Sequence, residues 1–136
     1  MRDGRTRKLR SKNITANDIR DFLSRYSATV VVLSGPVAGQ EIVLDRERTI
    51  LGRGPGVDVE FDDETMSRQH AAIEYTNSRF RIRDLGSTNG MKVNDSTVQA
   101  GALEHGDQFT LGALRFQFVI DEADSVADVY ELPTGA

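Results

Sequence analysis

From residue 28 to residue 120 no stretch carries the 3.6-residue apolar period of a helix, while short period-2 runs follow one another at close, fairly even spacing. The clearest run is "RFRIRD" at 79–84, where Phe80 and Ile82 alternate with Arg79, Arg81 and Arg83. Successive side chains of a strand point to opposite faces, so this run predicts one face in a core and the other in solvent. "LRFQFVI" at 114–120 repeats the pattern with Leu114, Phe116 and Phe118, and "DQFTLG" adds Phe109. Further strands are read in "ATVVVLS", "QEIVL", "RTILG", "VDVEF", "HAAIEY", "MKVN" and "STVQ". Gly, Asn, Asp and Ser clusters separate them, and the whole predicts an all-β fold, an antiparallel β-sandwich over 28–120.

Upstream the pattern changes. Thr15 followed by Asp18 resembles a capping box, and Ile19, Phe22, Leu23 and Tyr26 recur at i, i+3, i+4 and i+7. This predicts a short amphipathic helix over roughly 16–26, assigned to a segment 15–27. Such a helix is marginal alone in water, so its apolar stripe needs a surface: its own domain by default, or a second copy, or a partner. Residues 1–14 are charged and nearly without apolar groups, and are expected to form a disordered basic head. Residues 121–136 are acidic and rich in small residues, and are expected to form a flexible tail.

The 136 residues, 38% of them hydrophobic, suffice for one domain with its own core. Met1 reads as a natural start. The net charge of −4 hides an asymmetry: residues 1–26 hold eight Lys/Arg against three Asp/Glu, whereas 121–136 hold five Asp/Glu and no cation. The default meaning is solvated ends; the alternatives are a head that meets an acidic partner or nucleic acid, or a head and tail that attract each other. No apolar run is long enough for a membrane span or a secretory signal, and a cytoplasmic location is expected. With no cysteine there is no disulfide framework and no thiolate nucleophile or ligand. His70 and His105 lack metal-helix spacing, so neither metal nor other cofactor is expected.

The sequence does not read as an enzyme. The carboxylates of "VEFDDET" (59–65) read as a solvated turn, and no nucleophile elbow, Walker loop or metalloprotease helix is present. "LGRGPG" at 51–56 follows a strand with no helix after it, which removes a dinucleotide reading. Binding is the better class. Phosphate recognition needs cationic forks, hydroxyls and free backbone N–H groups converging on one volume, and arginine suits it through paired hydrogen bonds. "LGRGPG", "MSRQH" and "GSTNG" supply such groups at strand ends: Arg53; Ser67 and Arg68; Ser87, Thr88 and Asn89. Gly86 and Gly90 suit positive φ in a tight turn, and Asn89-Gly90 is a hairpin signal in itself.

In order and spacing, "LGR", "VDVEFDD", "MSRQHAAI", "RDLGSTNGMKVN" and "GDQFTLG" resemble the forkhead-associated (FHA) family of phosphothreonine-binding domains over residues 28–120. The resemblance implies a sandwich of about eleven strands with binding loops gathered at one end. It also implies that Arg53 and Ser67 bind the phosphate, that Thr88 sits beside the phosphothreonine, and that Asn89 holds the peptide backbone. Arg68, at a variable position, adds a possible second cation. His70 would brace the loops without touching ligand, with Gly52, Gly86 and Gly90 supporting them. The chain departs from the family's frequent Asn-Gly at Asn94-Asp95, which puts a negative charge near the expected peptide path.

The function expected is therefore phosphothreonine-dependent protein–protein interaction, an adaptor in serine/threonine kinase signalling. The expected partner is a phosphothreonine protein or peptide, which includes the chain's own head phosphorylated at Thr6 or Thr15. The alternative is a phosphate-independent assembly module that works through the N-terminal helix. Nucleic-acid binding through the head is not expected, because the acidic body works against it.

Overall fold

The computed structural model describes residues 19–123. The head over 1–14, Thr15, Asp18 and residues 124–136 lie outside the described residues, whereas Asp121 and Glu122, expected to open the flexible tail, belong to the last strand, held by pairing with Ser27 and Tyr26. Eleven strands follow a short helix: β1 (Tyr26–Val32), β2 (Glu41–Val43), β3 (Arg48–Gly52), β4 (Val59–Glu60), β5 (Ala71–Thr76), β6 (Arg79–Asp84), β7 (Met91–Val93), β8 (Ser96–Thr97), β9 (Ala100–Leu103), β10 (Gln108–Leu111) and β11 (Leu114–Glu122). They form two sheets, β2-β1-β11-β10-β7-β8 and β4-β3-β5-β6-β9. This is the all-β sandwich that the alternating runs require, because each sheet buries one face against the other.

Phe109, Phe116 and Phe118 of the first sheet and Leu51, Ile73, Phe80 and Ile82 of the second are all buried. Phe80 meets Phe118 across the sandwich with ring centroids 5.2 Å apart, and Phe109 stacks on its cross-strand partner Phe116 at 5.1 Å. Such ring pairs add to the area they bury. β6 keeps its arginines exposed and its Phe80 and Ile82 buried.

Residues 19–25 are helical, and the stripe docks on the chain's own sandwich. Ile19 is 6% exposed within the core cluster. The Phe22 ring lies 5.5 Å from that of Tyr75 and 5.2 Å from that of Phe80. Tyr26 departs from the helical reading: it opens β1 and pairs with Glu122 of β11. The ladder closes beside it, where Ala123 N donates to Arg25 O at 3.0 Å, while the Tyr26 ring stays 5.5 Å from Phe22.

Three further departures concern strands. β9, the "AGAL" run, escapes the pattern because Ala and Gly carry no strand signature of their own; its place comes from pairing with β6. β4 is two residues of "VDVEF", and it lies parallel to β3 (Leu51 with Val59), so the sandwich is not wholly antiparallel. Asn89-Gly90 is not a two-residue hairpin, since only Gly90 has positive φ, at 79°. The hairpin turns with both residues at positive φ are Asn77-Ser78, between β5 and β6, and Asn94-Asp95, between β7 and β8.

Register explains where a site can form. Leu51, Ala71 and Asp84 occupy one row across β3, β5 and β6. Chain leaving that row at all three strands enters the same rim of the sandwich. The segments concerned are 53–58, 62–70 and 85–90.

Candidate functional site

Two backbone hydrogen bonds join the first two segments: Arg53 N donates to Ser67 O (2.9 Å) and Gly54 N to Arg68 O (3.2 Å). Gly52 allows this closeness, because a Cβ there would stand 2.0 Å from Arg68 O. Gly54 likewise faces the Arg68 side chain, with its Cβ position 2.9 Å from Arg68 Cβ. Arg53 is exposed, and its Nε donates to Met66 O at 3.1 Å. That bond fixes the plane of the guanidinium and leaves its two Nη groups for an anion. Among the described residues no carboxylate pairs with Arg53 or Arg68.

Ser67 joins the third segment, as Thr88 N donates to Ser67 Oγ at 3.0 Å. With its oxygen accepting there, the Ser67 hydroxyl hydrogen remains for a ligand oxygen. Asn89 Nδ2 donates one hydrogen to Thr65 O at 2.9 Å and carries a second. The structure therefore brings Arg53, Ser67, Arg68, Thr88 and Asn89 to one rim, with Arg68, Thr88 and Asn89 exposed.

His70 is fully buried behind them. Ser67 N donates to its Nδ1 at 3.1 Å, and its Nε2 lies 2.8 Å from Gly90 O. Nδ1 must therefore accept and Nε2 donate, which selects the neutral tautomer protonated on Nε2. One ring thus ties the 62–70 segment to the end of the 85–90 segment. Gly86 (φ 81°) and Gly90 (φ 79°) both adopt the left-handed backbone that their turn requires.

Asp84 and Thr65 were not assigned roles by sequence reasoning, and Ser87, read there as a group offered to phosphate, is placed otherwise. Asp84 accepts from Gly86 N and Ser87 N, each at 3.0 Å, and from Ser87 Oγ. This is an Asx-turn, whose signal is the Asp two residues before Gly86 in "DLGS". Ser87 Oγ also accepts from Gly90 N at 2.9 Å, so this hydroxyl is spent inside the loop rather than offered outward. Thr65 ties the rim to the β10–β11 turn, where Ala113 N donates to Thr65 Oγ1 at 2.8 Å. Thr65 N donates to Asp63 Oδ1 at 2.8 Å and its hydroxyl donates to the same oxygen, which together hold the Asp63 carboxyl below its ordinary pKa. No sequence signal marked Thr65 as part of the rim, because the partners that tie it there, Asn89 and Ala113, lie 24 and 48 residues along the chain. Beyond Asn89 a hollow of about 180 Å³ continues between Lys92, Asp95, Thr110 and Arg115.

Known proteins resemble this chain in sequence and fold. The FHA domain family model matches residues 49–112. The glycogen accumulation regulator GarA of Mycobacterium tuberculosis is 41% identical over 93 residues, covering 68% of this chain and 57% of the relative. The oxoglutarate dehydrogenase inhibitor of Corynebacterium glutamicum is 38% identical over 98 residues, covering 72% of this chain and 68% of the relative. A solved FHA domain, from a structural and functional study of phosphothreonine-dependent FHA domain interactions, superposes with a TM-score of 0.63. It is 31% identical, over 68% of this chain and 95% of that one. The chain spans little more than half the length of the mycobacterial relatives it matches. Fold, loop geometry and these matches agree: the chain belongs to the FHA domain family.

Proposed function

We propose that this chain is a phosphothreonine-dependent protein–protein interaction module, an adaptor in serine/threonine kinase signalling, and not an enzyme. The carrying observation is the Arg53–Ser67–Thr88 linkage: a guanidinium tethered through Nε, and a hydroxyl whose oxygen already accepts a backbone N–H. A phosphothreonine brings a charge of about −1.5 to −2 and three acceptor oxygens, which suit this donor set. Arg53 and Ser67 take the phosphate, Arg68 adds a second cation, Thr88 lies beside the phosphothreonine, and the free hydrogen of Asn89 holds the peptide backbone. His70, Gly52, Gly86 and Gly90 keep the loops in place. Each charge-assisted bond contributes about 1.5–3 kcal/mol, so two or three support micromolar affinity once ordering costs are met.

The helix stripe is spent on the chain's own core, and no observation favours a phosphate-independent partner there. Among the described residues no helix is long and apolar enough to cross a membrane. A phosphorylated head remains a proposed ligand in cis, and mass spectrometry after treatment with a cognate kinase tests it at Thr6 and Thr15. The main experiment is calorimetry with a peptide selected from an oriented phosphothreonine library, alongside its unphosphorylated twin. Binding is expected only for the phosphorylated peptide, and Arg53→Ala is expected to weaken it about 10- to 100-fold. Equal affinities for the two peptides would overturn the proposal.

A further inference from the structure

The outer face of the second sheet is an arginine surface on an acidic molecule. β6 places Arg79, Arg81 and Arg83 there, all exposed. Arg48 of β3 shares the face, since it pairs with Glu74, which in turn pairs with Arg81. Glu74 neutralises Arg83 through two bonds of 3.0 Å. Among the described residues no carboxylate pairs with Arg48, Arg79 or Arg81. β9, the edge strand, sets only Ala102 and Ala100 beside Arg81 and Arg83. Nothing tall shields these guanidinium groups from a segment lying over the edge.

The chain leaves the sandwich at the foot of this row. Ile120, three residues before the last described residue, lines one cleft of about 300 Å³ together with Arg79, Phe22 and Ala102. The 13 residues that follow carry Asp124, Asp128 and Glu131 and no Lys or Arg. They can span about 43 Å, whereas the row from Arg79 to Arg83 needs about 13 Å. A covalent tether supplies an effective concentration in the millimolar range, so contacts too weak to hold a separate chain suffice.

We infer that the arginine face of β6 and β9 is the docking surface for the chain's own acidic segment 124–136, held by charge. This does not depend on phosphopeptide binding at the loop rim. The face is consequently open to a separate acidic partner only when that segment is displaced.

With no native cysteine, Thr134→Cys accepts a single nitroxide label near the far end of the segment on the full chain. Paramagnetic broadening of backbone amides then reports where the segment lies. At about 0.01 M salt, where charges act over about 30 Å, broadening is expected to concentrate on Arg79–Arg83 and Ala100–Leu103. It should fall severalfold at about 1 M salt, where screening shortens that range to about 3 Å. The same fall is expected in an Arg79→Glu, Arg81→Glu double variant, while Lys92→Glu on the other sheet leaves the pattern intact. Broadening that ignores salt, spreads evenly, or concentrates on the basic head over 1–14 overturns the inference. The salt series on the unsubstituted arginine face decides the matter even if the double variant does not fold.

Discussion

Gly52 and Gly86 both serve the candidate rim, yet a methyl group would act on them differently. At Gly52 the added carbon would lie 2.0 Å from Arg68 O, which is backbone and cannot swing aside. Gly52→Ala is expected to cost about 3 kcal/mol and to lower phosphopeptide affinity, because the Arg53 and Ser67 segments must part. Gly86 has open space around it, so Gly86→Ala meets only the penalty of positive φ, about 1 kcal/mol, at φ 81°. Urea denaturation of the two variants separates steric from conformational demand. Asp63 supplies a pH test. Its hydrogen bonds from Thr65 lower its pKa in the fold, so its contribution is fully present above the ordinary carboxylate pKa of about 4. That contribution disappears as pH falls through the lowered value. Stability followed from pH 6 downward should therefore fall more steeply in the parent than in Asp63→Asn, by a modest amount since the carboxyl is largely solvated. At this scale the sequence exposed the polar residues that the fold gathers at the rim, because bare polar groups at strand ends have no use in a core. It hid Thr65, whose ties to Asn89 and Ala113 only the fold brings near, while the Asp84 turn was written locally in "DLGS" and went unread.

Among the elements, the hairpin at Asn94-Asp95, like that at Asn77-Ser78, turns without a glycine. Asn94 and Asp95 hold positive φ, 48° and 72°, where a glycine in the second position would be relaxed. Asp95→Gly is expected to stabilise the protein by about 0.5–1 kcal/mol, seen as a rise of several degrees in the melting temperature. An unchanged or lower melting point would mean that the Asp95 side chain makes a compensating contribution. Strands whose alternation matches burial, β6 and β11 above all, were legible residue by residue. β9 was not, since its Ala-Gly composition expresses no preference and neighbouring β6 imposes the extended form. The helix was legible in its buried face but not in its end. There β11 captures Tyr26 as a strand residue, which is a tertiary demand overriding a local period.

The whole molecule carries two cationic surfaces: the candidate rim with Arg53 and Arg68, and an arginine row on the sheet face that runs from Arg79 up to Arg83, next to the rim. Neither follows from the net charge of −4, which describes solubility rather than location. A ligand that binds only the folded chain must stabilise it. At a hundred times its dissociation constant, a phosphothreonine peptide is expected to add about 2.7 kcal/mol to the unfolding free energy of the entire sandwich. The unphosphorylated twin should add nothing, which calorimetric melts can read directly.

The buried imidazole of His70 reaches Ser67 on one side and Gly90 on the other, positions separated by a whole hairpin of chain. Such a joint forms only once the hairpin between them is folded, so the proposed phosphopeptide capture requires β5 and β6 to be paired first.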